Sequence, residues 1–212
     1  AHRLAFGFGV AITAIGGVRV TTVAAIVKGQ HLIGTADGRA VPLEVNFDVT
    51  FKDGRRTVTP RPVIGEPLIL DPDRKRPLRQ ISFAVTPTGP VTVAQVGPTE
   101  LVVLSVIEKK ALIGGTTKVE TRLPLPVSTD GEITALRLDG RGEDLFIGTS
   151  QGRVLHYDLR EKGSPTVMEA ITVGTTPGTP ITALGFLLGD RTLVAGDAAG
   201  RVSTWQVVPP PQ

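Results

Sequence analysis

Apolar and polar residues alternate with a period of two along much of the chain, the spacing that sends successive side chains to opposite faces of a β-strand. Val45, Phe47, Val49 and Phe51 alternate with polar neighbours up to Lys52-Asp53-Gly54-Arg55, and Arg56 to Thr59 starts a return strand. An Asp-Gly pair between two such runs predicts a hairpin. Further along, Ile133 to Leu138, Asp144 to Thr149, Arg153 to Leu159 and Thr166 to Val173 are strand-sized, with turns at Asp139-Gly140-Arg141-Gly142 and at Gly152. Ile181 to Leu187, Thr192 to Gly196 and Arg201 to Val207 follow in the same manner. Both alternate positions are often apolar, as in Leu145-Phe146-Ile147, which predicts sheets covered on both faces.

The pattern repeats. Ile133-Thr134-Ala135-Leu136 returns as Ile181-Thr182-Ala183-Leu184, Gly148 as Gly196, Gly152-Arg153-Val154 as Gly200-Arg201-Val202, and Tyr157 as Trp205, always at an offset of 48 residues. That is the length expected of one four-stranded propeller blade. A weaker copy, Leu32 to Arg39, matches Phe146 to Arg153, and Val91 to Val106 reads as another degenerate unit with Glu100-Leu101-Val102-Val103 standing at Asp144-Leu145-Phe146-Ile147. The fold class is therefore all-β and β-propeller-like, built from repeated four-stranded blades. The propeller-like domain is placed at residues 1–208, with its clearest blades at 131–175 and 178–208 and degenerate ones at 17–52 and 80–123. Roughly seventeen strands give about four to five blades, the low edge for ring closure. The ring closes within one chain, stays open, or closes by pairing two chains; an exposed edge in an incomplete ring favours a homodimer.

The segments Gly131 to Leu159 and Gly178 to Val207 resemble WD-repeat blades. Tyr157-Asp158 stands at the family's aromatic-acid dipeptide, while Trp205-Gln206 keeps the aromatic and loses the acid. Gly131-Glu132 stands where the usual Gly-His opens the blade. The longer pattern, carried by Gly17 to Ala24, Leu32 to Arg39 and the late repeats, is similar to the soluble insert of bacterial phosphate ABC transporter permeases. That resemblance implies a domain at the periplasmic face of the inner membrane, tethered by flanking helices, with transporter subunits or envelope proteins as partners. It implies no catalytic residue and no cofactor.

Composition narrows the picture. No stretch approaches the roughly 20 apolar residues of a membrane helix. The chain opens at Ala1 without a signal-peptide pattern and ends on Pro209-Pro210-Pro211-Gln212, so it is expected to be an excised piece with the start of a Pro-rich linker at residues 209–212. The absence of cysteine excludes disulfides, a thiol nucleophile and thiolate metal sites. A net charge of +3 does not imply nucleic acid, although Lys52 to Arg79 gathers Lys52, Arg55, Arg56, Arg61, Arg74, Lys75, Arg76 and Arg79. Such runs are usually solvated loops; an anion or lipid headgroup is the functional alternative.

Gly148-Thr149-Ser150-Gln151-Gly152 spells G-x-S-x-G, but the β-like Arg153 to Tyr157 follows it where a nucleophile elbow needs a helix, and the equivalent turns carry Ala36 and Ala198. Ser150 therefore reads as a turn residue. His2, His31 and His156 are scattered and lack ligand spacing, so no metal site is assigned. Gly7-Phe8-Gly9 lacks the rest of a dinucleotide loop, and the acidic pairs Glu143-Asp144 and Asp71-Pro72-Asp73 fall at turns. Arg39, Arg153 and Arg201 follow the same glycine in three units and are candidate anion-binding residues; alternatively each caps an exposed strand. Three functions are carried forward: a non-catalytic interaction or regulatory domain of a phosphate permease, a cytoplasmic WD-type protein-interaction scaffold, and, least supported, a propeller hydrolase or lyase.

Overall fold

The computed structural model describes residues 17–25, 30–73, 75–110, 116–127, 131–161, 163–173, 178–187 and 189–206. Among them every regular element is a strand. The first sheet holds β1 (Val20–Ala25), β2 (Gln30–Thr35), β3 (Arg39–Lys52) and β4 (Arg55–Ile64), with β5 (Leu68–Ile69) also paired to β3. The second is β6 (Gln80–Thr86), β7 (Gly89–Gln95), β8 (Glu100–Lys110) and β9 (Thr116–Pro126). The third is β10 (Ile133–Leu138), β11 (Asp144–Thr149), β12 (Arg153–Asp158) and β13 (Thr166–Thr172), and the fourth is β14 (Ile181–Leu187), β15 (Thr192–Asp197) and β16 (Val202–Gln206). Each is an antiparallel meander, as short turns between consecutive strands dictate. The described residues form sixteen strands in four sheets. The expected hairpin at Lys52-Asp53-Gly54-Arg55 is the outer half of β3 and β4, a ribbon that runs beyond the first sheet as an extension of it.

The sheets stack face to face in chain order. β1 packs against β6, β6 against β10, and β10 against β14; no comparable contact among the described residues joins β14 back to β1. Three apolar layers hold the stack. Leu32, Ala40, Ile81 and Val102 lie between the first and second sheets, Val93, Val103, Ile133 and Ile147 between the second and third, and Ala135, Val154, Ile181 and Leu193 between the third and fourth. This is why apolar residues occupy both alternate positions of β11: Leu145 and Ile147 face the second sheet, while Phe146 faces the fourth.

One turn recurs before the third strand of three sheets. Gly38, Gly152 and Gly200 take φ values of 81, 75 and 79°, a region that glycine alone occupies without cost. The residue four before each arginine supplies a side-chain oxygen to the arginine's backbone N–H: Arg39 N–H donates to Thr35 Oγ1 (3.2 Å), Arg153 N–H to Thr149 Oγ1 (3.1 Å) and Arg201 N–H to Asp197 Oδ1 (3.0 Å). The Gly-Arg step seen in the sequence is thus the exit of a shared side-chain-capped turn.

Candidate cleft between the third and fourth sheets

A cross-strand row builds the site. In the third sheet Arg137, Phe146, His156 and Glu169 are successive partners across β10, β11, β12 and β13, so their side chains emerge on one face. The fourth sheet lays Phe186, Leu193 and Trp205 against that face. Phe146 stacks on the His156 ring at 4.4 Å and 12°, and meets Phe186 edge-on at 5.6 Å and 78°. The Arg137 guanidinium lies 5.8 Å from the Phe186 ring centre, a cation–π distance. What remains open is a cleft of about 340 Å³ whose walls include Phe146, His156, Phe186 and Trp205.

Its polar groups are mostly acidic. Asp139, Asp144, Glu169 and Asp190 line the cleft against Arg141 and Arg191. His156 Nε2 lies 2.9 Å from Asp144 Oδ1, and Nδ1 lies 3.5 Å from Glu169 Oε1. Burial disfavours the charged imidazole, but the hydrogen bonds and attraction to Asp144 and Glu169 outweigh it and raise the His156 pKa. The same hydrogen bond from His156, aided by Arg160, lowers the pKa of Asp144 against the opposing effect of burial. Asp139 is buried and holds the turn before β11, its Oδ1 accepting the N–H groups of Glu143 (2.7 Å) and Asp144 (3.0 Å). Asp190 Oδ2 accepts Gly140 N–H across the two sheets at 2.7 Å.

No family model matches the chain, and no curated protein matches it. Solved structures do. The β-propeller domain of Swd1 (Cps50) from Myceliophteria thermophila superposes with a TM-score of 0.51 at 16% identity, over 85% of this chain and 49% of that one. Raptor from Chaetomium thermophilum gives 0.52 at 13% identity, over 91% of this chain and 16% of that one. The chain therefore spans about half the length of the first and a small part of the second. It is a four-bladed β-propeller arc. Blades 1 to 4 are the four sheets in order, and the WD-like landmarks read from the sequence lie on blades 3 and 4.

The remaining candidate residues fall in several places. Arg39, Arg153 and Arg201 stand at or beside the start of the third strand of blades 1, 3 and 4, and the first position of β8 in blade 2 is Glu100. The Arg39 and Arg201 side chains are engaged by Asp37 and Asp197 of their own turns, each at 2.8 Å. Ser150 lies in the turn after β11, where its Oγ accepts Glu132 N–H at 3.0 Å. His31 is on β2, apart from His156, while His2 and Gly7-Phe8-Gly9 lie outside the described residues. The basic stretch divides. Arg55 and Arg56 sit at the tip of the blade 1 ribbon and Arg61 pairs along it with Asp48 (3.4 Å), whereas Arg76 turns inward to Asp71 (2.9 Å) and Glu100 at a separate cavity of about 500 Å³ between blades 1 and 2.

Sequence reading singled out His156 and Asp144 separately and missed the row they belong to. The signal was there as a break in the repeat. At the 48-residue offset Arg137, Phe146 and His156 become Gly185, Val194 and Thr204, so the scaffold repeats while the cleft residues do not.

Proposed function

We propose that this domain is a non-catalytic protein-interaction module whose cleft between blades 3 and 4 receives a basic side chain from a partner protein. The Arg137–Phe146–His156–Glu169 row carries this reading, because it joins aromatic faces to carboxylates at positions that one repeat later hold Gly185, Val194 and Thr204. A lysine or arginine tip gains both cation–π attraction and charge-assisted hydrogen bonds in such a setting. The likeness to propeller domains supports a scaffold role in general and names no partner.

Trp205 is the sole tryptophan and lines the cleft, so its emission reports occupancy directly. Titration with lysine- or arginine-bearing peptides is expected to change that emission saturably, and Phe146→Ala or Glu169→Gln to weaken binding by about tenfold. Acidic peptides should have no effect. An emission indifferent to every basic peptide removes the proposal.

The permease-insert reading and its periplasmic location rest on sequence resemblance alone, and they require a membrane helix encoded just upstream of Ala1. An anion role for Arg39, Arg153 and Arg201 is likewise a proposal. Calorimetry with inorganic phosphate tests it, absence of heat at millimolar ligand removing it.

A further inference from the structure

Two carboxylates line the cleft from turns, apart from the cross-strand row. Asp139 stands in the turn between β10 and β11, and Asp190 in the turn between β14 and β15. Asp139 Oδ1 is held by the N–H groups of Glu143 and Asp144, which fixes the carboxylate in one orientation, and Asp190 Oδ2 is likewise tied to Gly140 N–H. Asp139 Oδ2 is left over. It is buried, on a side chain only 3% exposed, and accepts no hydrogen bond among the described residues. A buried carboxylate oxygen in that condition is costly, and a cation donating to it offsets the cost.

The turn itself does not need this pairing. At the 48-residue offset Asp139 and Arg141 become Leu187 and Gly189, and the blade 4 turn joins β14 to β15 without either group. Asp139 and Arg141 therefore belong with Phe146 and His156, outside the repeated scaffold.

Arg141 shows what the oxygen takes. Its Nε lies 3.5 Å from Asp139 Oδ2 and 3.9 Å from Glu143 Oε2, close enough to feel both charges but longer than a hydrogen bond. The side chain is 73% exposed. An ion pair that open is worth about fivefold at most in an equilibrium constant. Once Arg141 swings out, Asp139, Asp144, Glu169 and Asp190 line the cleft with Arg191 as the one guanidinium left among the lining residues.

We propose that Asp139 Oδ2 is the seat for an arginine of the partner protein, and that Arg141 is a placeholder which the partner's guanidinium displaces. On the interaction reading above, on which this rests, the side chain received is an arginine in preference to a lysine. A guanidinium carries five N–H donors in a planar fork, so it can bond Asp139 and keep donors for the other carboxylates of the cleft. Its face can lie against an aromatic ring, as that of Arg137 lies against Phe186. An ammonium group meets the same carboxylates as a point charge and has no face to stack.

Two capped tripeptides, acetyl-Gly-Arg-Gly-amide and acetyl-Gly-Lys-Gly-amide, serve as probes, with Trp205 emission as the readout. The arginine peptide should bind about tenfold more tightly. Asp139→Asn keeps the Oδ1 acceptor of the turn and should bring the arginine peptide down to the affinity of the lysine peptide. Were Asp139 needed only for the turn, both peptides would weaken equally and their ratio would survive. Arg141→Ala removes the placeholder from an exposed position and should tighten the arginine peptide by about two- to fivefold. Equal affinity for the two peptides, a preference that persists in Asp139→Asn, or no tightening in Arg141→Ala overturns the proposal while Trp205 still reports an occupied cleft. Silence toward both peptides removes it together with the interaction reading.

Discussion

His156 shows how one side chain ties stability to pH. Its pKa is raised above the ordinary 6.5, so the stabilisation it gains from Asp144 and Glu169 is complete below about pH 6.5 and is lost as pH rises through the folded value. Asp144 behaves in the opposite sense. Its pKa lies below 3.8, so its contribution is present above about that pH and disappears as pH falls through the folded value. Melting temperature measured from pH 3 to 8 is expected to be highest between these limits on account of this pair, and His156→Gln should flatten the alkaline decline. Gly148 is a steric counterpart. Gly148→Val would drive methyl groups into Ile181 and should cost about 1–3 kcal/mol in denaturant titration, as overpacked sites do.

Among the elements, the β3–β4 ribbon stands apart from the stacked sheets. Phe47, Val49, Phe51 and Val58 share one of its sides and are all exposed, while Asp48 and Arg61 pair on the other in solvent. A two-stranded ribbon has little to hold it in water, and its tip carries Lys52, Arg55 and Arg56. Brief trypsin treatment should therefore cut first at the tip, and mass spectrometry should find the sheets beyond it intact. The ribbon was readable from its alternation and its Asp-Gly turn because both signals are local. So were β10 and β14, whose limits follow from the Ile-Thr-Ala-Leu repeat. The cleft was less readable. Phe146 and His156 become neighbours only once the β11–β12 register is known, and Phe186 joins them through packing between blades, which no spacing along the chain records.

At the scale of the whole molecule, the main contacts of each blade among the described residues are with its neighbours in chain order, so stability is distributed as in a short stack of repeats. Blades 2 and 3 are covered on both faces, whereas blade 4 has three strands among the described residues and one uncovered face. In the isolated chain, amide hydrogen exchange should be slowest in β7 and β11 and fastest in β16, with opening energies graded between them. Uniform protection across the blades would contradict this. The 48-residue offset also governs how such a chain can change length. Inserting one residue inside β14 would send every later side chain of that strand to the wrong face and lift Ile181 or its strand-mates from the layer. Duplicating a whole unit copies the first-strand isoleucine, the glycine of the second strand and the capped turn together. Growth in complete blades is the lengthening that leaves every existing junction intact, and a lineage of such proteins should differ in whole steps of that size.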